Sequence, residues 1–441
     1  MKFRGLIVAA AVLLVLSGAL YWSQHRKTPD DSIAAANKTP RILDILSPAN
    51  ATTLTVRQKG APPVTLVRSG LQWQITSPQN FPADSSTVSS MLTALNPLAS
   101  DRVVEDKAGN LAPYGLSDPA FEVDVTTKDG RNTQLLFGDD TPTGDGLYAQ
   151  RSGDPRVFTV AEYAKTSLDK SLADLRDKRL LPIESSSVSS IDLVRKGEDI
   201  DFARIQGGWH IQKPQSYRPD NFEVDDLLTQ LTGAKWDASA AAGDAAKAFA
   251  KAAPLATVKI TGSAGTATLD VRKDKDDYYA RSSAVPGVWK IDTSSSSSLG
   301  QDLGRSLNDF RSKQLFDFGY TDPEKIEYHS GATSFELART GNAWLSNGKK
   351  MDSESAEAVV TALRDLAASN FVTSGFTAPT IDITVTSNQG KRVERVQLQP
   401  TKDGAIARRE DDSSLYALDS ATINNLTTAI AGVKPAAPAK K

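Results

Sequence analysis

Apolar and polar positions alternate along most of this chain, and they do so in a pattern that returns. Around Val64-Thr-Leu-Val-Arg and Gln72-Trp-Gln-Ile the period is two, which predicts paired strands joined by a short loop that holds Gly70. Trp73, Trp209 and Trp344 stand 136 and 135 residues apart. Each has an arginine five positions earlier (Arg68, Arg204, Arg339) with glycine between the two. Behind each hairpin the period changes to that of a helix. Asp84, Asp220 and Asp352 are placed to accept hydrogen bonds from otherwise unpaired N–H groups at the helix start. Val88, Leu92 and Leu95 then form one apolar stripe, as do Val224, Leu228 and Leu231 in the second copy and Ala356, Val360 and Leu363 in the third. Agreement of turn, cap and stripe three times over predicts a tandem repeat.

The second half of each copy supplies further alternating segments, among them Phe121-Glu-Val-Asp-Val, Ala256-Thr-Val-Lys-Ile and Ile381-Asp-Ile-Thr-Val. A short helix is expected to close each copy. At two of these ends Leu172-Ala-Asp-Leu-Arg matches Leu307-Asn-Asp-Phe-Arg, which puts Arg176 and Arg311 at joints between units. The expected fold class is therefore α+β: about three units, each a mostly antiparallel sheet with a packed helix, preceded by one N-terminal transmembrane helix. The expected units cover 42–182, 183–317 and a diverged 318–432, with a disordered tail over 433–441.

The start of the chain has a different pattern. Lys2 and Arg4 precede an uncharged run over 5–23, followed by His25, Arg26 and Lys27. A run of that length can just cross a bilayer as a helix, and Tyr21 and Trp22 at its far end suit the interface. The competing reading is a cleaved signal peptide, but Ser17-Gly-Ala lies inside the run and Ala34 to Ala36 lie too far beyond it. An uncut anchor over 1–25 and a polar tether over 26–41 are expected. The remaining mass would then lie outside the cytoplasm, on a single-pass protein of the inner membrane facing the periplasm.

Composition narrows the chemistry. At 441 residues, 39% hydrophobic and 24% charged, the chain has material for real cores. A net charge of −2 supplies no basic field for nucleic acid. Without cysteine there are no disulfides and no thiol catalysis. His25, His210 and His329 have no neighbours at metal-site spacing. The loop with Asp139, Asp140 and Asp145 offers oxygen ligands for calcium, but it stands where a strand connection is due and reads as a solvated turn. No phosphate-binding glycine loop or nucleophile-elbow sequence occurs. No cofactor, metal or catalytic residue is expected.

Arg and Trp of each hairpin have two readings. One is a ligand platform, since indole faces bind sugars and guanidinium groups bind carboxylates and phosphates. The other is structural, with the guanidinium packed on the indole and the indole over the helix stripe. Retention of both residues in all three copies favours the second.

Together the Arg-x4-Trp-x-Ile-x-x-Pro hairpin, the Asp-capped helix, Tyr114-Gly-Leu-x-x-Pro119 and Leu175-Arg-Asp-Lys-Arg-Leu180 resemble the bacterial domain-of-unknown-function family numbered 4340. The resemblance covers most of 43–316 and weakens in the third copy, where Leu-Ser-Asn-Gly-Lys-Lys follows Trp344. It implies anchoring by one N-terminal helix and association with ABC transporters of the gliding-motility type. It implies no catalytic residues. The expected function is that of an accessory or scaffold protein without enzymatic activity, acting through protein contacts. A cell-envelope glycan- or lipid-binding module is the alternative, and an envelope hydrolase a more distant one.

Overall fold

The computed structural model describes residue 42 and residues 47–70, 72–95, 98–263, 265–294, 298–320 and 323–437. The anchor and tether expected over 1–41 lie outside the described residues. The chain forms two compact units, Met1–Asp177 with one sheet and Lys178–Lys441 with two.

The α+β expectation is overturned. The structure is 44% strand and 22% helix, carried by three large antiparallel sheets. The longest described helix, Asn221–Gly233, has 13 residues, and no helix among the described residues is long and apolar enough to cross a membrane. The repeated helix is conspicuous in sequence because its cap and stripe are local. The sheets outweigh it because every copy adds strands on both sides of one central pair.

In the first sheet that pair is Ala51–Gln58 beside Phe121–Thr127, antiparallel. From Ala51–Gln58 the chain steps outward through Val64–Ser69, Gln72–Ser77 and the two-residue Phe81–Pro82. It then crosses as the helix Ser85–Ala94 to Arg102–Glu105 at the opposite edge. Phe121–Thr127 returns it to the centre, and Asn132–Asp140, Gly146–Arg151 and Val157–Ala161 step outward until they meet Arg102–Glu105. The helix is thus the link that carries the chain from one edge of the sheet to the other.

The third sheet repeats this nine-stranded order strand for strand, from Lys349–Lys350 at one edge to Asn370–Val372 at the other. The second has seven strands, and its two edge strands are reduced to the single bridges Ile211↔Tyr217 and Trp236↔Ile291. In topology, then, the second copy is the reduced one, although sequence motifs make the third look diverged. The second copy also gains the helix Ala242–Lys251, whose Phe249 is buried with the Arg272 and Arg281 guanidinium carbons 4.4 and 4.9 Å from its ring.

Each sheet encloses its own core. Alternation on Phe121–Thr127 and Ile381–Ser387 buries every second side chain. All nine stripe residues of the three capped helices are at most 2% exposed. They close the core from the helix side, where each large aliphatic side chain contributes about 1.5–3 kcal/mol of transfer free energy.

Candidate functional site

The three hairpins have one geometry. Arg68 faces Trp73 across the ladder, Arg204 faces Trp209 and Arg339 faces Trp344. The guanidinium carbons lie 5.9, 4.5 and 5.8 Å from the indole centroids. Gly70, Gly207 and Gly341 take positive φ in the intervening loops, the conformation glycine adopts without a Cβ clash. The tryptophans are 1–4% exposed, so their faces serve the core and offer no surface for a sugar. Asp84, Asp220 and Asp352 accept backbone N–H groups from the first turns of their helices.

A third partner was not read from the sequence. Five residues after the cap, Asp225 accepts the Trp209 indole N–H at 2.7 Å and Arg204 at 3.1 Å. Glu357 accepts the Trp344 indole N–H at 3.0 Å. The sequence signal for this partner is an acid at the same offset from the cap in the second and third copies. The first copy has Ser89 there, and Arg68 instead donates to the carbonyls of Pro48 and Ala49. Trp209→Phe is therefore expected to cost about 1.5 kcal/mol more than Trp73→Phe, the lower end for a hydrogen bond to a charged acceptor. Urea melts of the two variants check this; equal losses would contradict it.

The joints are built from backbone ladders. In the first unit the Asp84 N–H donates to Leu175 O and the Asp177 N–H to Pro82 O, around the bridge Ala83↔Arg176. Between the second and third sheets Asp220 donates to Phe310 O and Ser312 to Arg218 O, around Pro219↔Arg311. At the end of the third copy Asp352 donates to Lys434 O and Ala436 to Lys350 O, around Met351↔Pro435. So residues 433–437, expected to belong to a disordered tail, take the register that the joint takes in the other copies; 438–441 lie outside the described residues. A matching slot receives the incoming chain beyond each capped helix. Ile42 donates to Leu98 O, Leu180 to Ala234 O and Leu315 to Leu366 O, and all three incoming side chains are buried.

The expected closing helices at the first two joints are single turns, Leu172–Leu175 and Leu307–Asp309. Each is held by a reciprocal capping box, Ser171 with Asp174 and Ser306 with Asp309. Arg176 stacks on Phe81 within the first unit, 4.1 Å from the ring centroid. Arg311 lies between two rings, Tyr217 of the second copy at 3.9 Å and Phe371 of the third at 3.5 Å. It donates to Asn308 at 2.8 Å and to Ser414 at 2.7 Å. Burial lowers the pKa of both arginines.

Beside Arg311 is a charged network centred on Arg409. Arg409 is 2% exposed and donates to both carboxylate oxygens of Asp411 at 2.8 Å and to the Leu315 carbonyl. Asp317 and Glu394 each lie 3.4 Å from its guanidinium. Burial alone would lower the Arg409 pKa, but Asp411, Asp317 and Glu394 raise it. Arg409 holds Asp411 low, whereas burial pushes Glu394 up despite the 2.6 Å bond from the Asp317 N–H. Arg218, from the second copy, donates to Asp317 at 2.5 Å, to the Gln314 carbonyl at 2.9 Å and to the Tyr416 hydroxyl at 3.1 Å. Tyr416 in turn donates to Asp412, and its burial pushes the phenol up to about 12. Arg409 spends its donors on Asp411, Glu394 and the Leu315 carbonyl, and what the network does chemically is to fix two sheets in register.

The remaining candidates fall in ordinary places. His210 is exposed on its strand. His329 Nδ1 lies 2.8 Å from Ser334 Oγ on an exposed sheet face. Asp382 faces His329 across the ladder, but its carboxylate is taken by Arg395 at 2.6–3.1 Å, which holds it low. Asp140 pairs with Lys165 at 2.9 Å. Among the described residues no group of three His, Asp or Glu side chains is arranged to hold a metal ion. Tyr114-Gly-Leu closes over the next hairpin: a Cβ at Gly138 would meet the Tyr114 carbonyl at 2.0 Å, and the Tyr114 hydroxyl donates to Glu105 at 2.8 Å.

No curated protein matches this chain. Among solved structures, a DnaN sliding clamp (DNA polymerase III subunit beta) from Pseudomonas aeruginosa, bound to griselimycin, pairs with it at 9% identity over 85% of this chain and 91% of that one. The TM-score is 0.15, so no common arrangement follows from the pairing. The family described as Domain of unknown function (DUF4340) matches twice, over residues 73–208 and 209–390. Each match opens on a repeat tryptophan, Trp73 or Trp209. On these two matches, which cover well over half of its length, the chain belongs to the Domain of unknown function (DUF4340) family.

Proposed function

We propose that this protein is a membrane-anchored, extracytoplasmic scaffold that works through protein contacts, with an ABC transporter as its partner. The observation that carries the reading is the joint between the second and third sheets. There the buried side chains of Arg311 and Arg409 are committed to holding one sheet against the next. Repeats whose interfaces are fixed in this way present surfaces at set separations, the requirement of a scaffold. The uncharged run over 5–23, with basic residues on both sides, supports the anchor in the inner membrane. The choice of transporter rests on the family resemblance.

Crosslinking in intact membranes, followed by identification of what is captured, tests the partner. Recovery of transporter subunits is the expected result; their absence under conditions that trap a known transporter complex would refute the proposal. Alkaline extraction tests the anchor separately. The chain should stay in the membrane fraction, and its release would show that the helix is absent or cleaved.

A further inference from the structure

The sheet end beside the joint also carries a cavity of about 600 Å³ that the scaffold role does not use. Its charged lining consists of Arg395, Arg408 and Arg409 against Glu410, Asp411 and Asp412. Gln397 and Ser413, which both donate and accept, complete it. Three fixed cations balance three fixed anions, so a phosphate would meet the carboxylates and a polyamine would meet the guanidinium groups. A ligand that suits both sets carries no net charge, and one whose groups donate and accept at once can meet every member of the lining. Vicinal hydroxyls do this.

The lining is held in place before any ligand arrives. Arg395 is clamped on Asp382, and Arg409 on Asp411. Asp412 accepts the Ser414 N–H at 2.9 Å, the Ser414 hydroxyl at 2.8 Å and the Tyr416 hydroxyl. Arg408 donates to Gln397 at 3.0 Å and lies 4.8 Å from the centre of the Phe376 ring. Polar groups locked by their neighbours lose little freedom on binding, which is how a shallow polar site gains affinity. The geometry points to a binding site for a neutral, hydroxyl-rich saccharide at this end of the third sheet. The site is distinct from the buried hairpin tryptophans and does not depend on the scaffold proposal.

The test uses the full chain in a polyoxyethylene detergent, so that no sugar headgroup competes. Binding of N-acetyl chitotetraose, a neutral tetrasaccharide, is followed by saturation-transfer NMR and calorimetry, with inorganic phosphate and spermidine as charged probes. Saturable binding of the tetrasaccharide is expected, with weaker binding of both charged probes. Arg408→Ala and Glu410→Gln, two exposed positions, should each weaken it about tenfold, the usual effect of losing one charged hydrogen bond. Unchanged thermal melts would show that the fold is intact. No saturable binding of the tetrasaccharide, unchanged binding by both variants, or tighter binding of phosphate or spermidine would each overturn the inference.

Discussion

Replacing Arg409 with leucine is expected to destabilise the Lys178–Lys441 unit by about 3–5 kcal/mol, the largest single effect we foresee. The substitution leaves Glu394 buried without its cation and the Leu315 carbonyl without its donor. An uncompensated buried charge costs more than the ion pair contributed, because the penalty for leaving water stays while the attraction goes. The double variant Arg409→Leu with Glu394→Leu should recover much of the loss. If it proves no better than the single variant, packing and not charge is responsible.

The same pair gives a pH dependence. Burial raises the Glu394 pKa, so the native state keeps that proton to higher pH than the unfolded chain does. This contribution to stability is complete below the unfolded carboxylate pKa and is lost as pH rises through the folded value. Asp411 is held low by Arg409, and its contribution runs the other way: present above the unfolded pKa, lost as pH falls. Arg409→Leu removes the Asp411 contribution and strengthens that of Glu394. The stability gap between variant and parent should therefore narrow between about pH 8 and about pH 5. Denaturant melts across that range decide; a gap that widens on acidification contradicts the assignment.

Arg311→Ala is expected to uncouple the second and third sheets at a cost of about 3 kcal/mol. Its guanidinium is sandwiched between Tyr217 and Phe371 and bonded to Ser414, so two desolvated cation–π contacts and a charged hydrogen bond vanish together. Calorimetry should show the endotherm of the Lys178–Lys441 unit broaden or split. Arg311→Lys should not restore it, because an ammonium has neither the plane to fill the sandwich nor the fork to reach Ser414 and Asn308 together. Full recovery with lysine would reduce Arg311 to a point charge.

What could be read in advance was local. The capping Asp, the stripe behind it and the Arg-x4-Trp spacing all lie within one hairpin and helix, and three copies make them visible. The size of the sheets was not readable. It depends on Arg102–Glu105 pairing with Val157–Ala161, and Asn370–Val372 with Leu415–Asp419, across some fifty residues of chain. Three- and four-residue edge strands leave almost no alternation to detect. Nor was the ionic network readable. Arg218, Asp317, Glu394 and Arg409 come from separate segments and meet only once two sheets are joined. Arg311 was marked by its motif, but its second ring, Phe371, lies sixty residues on.

The paired slots of the third copy also decide how it meets mechanical load. Chain arrives through the bridge from Leu315 to Leu366, beyond the helix Ser353–Arg364, and departs through the one from Asp352 to Lys434, before it. Tension between arrival and departure therefore pulls on the two ends of a 12-residue helix as well as on the strands. The helix is seated by four buried side chains and shares the strain with the sheet, so the strands cannot be unzipped one at a time until it gives way. Forced extension should meet one high barrier per repeat in place of a series of low ones. A chain held at both ends of such a repeat would resist being drawn out.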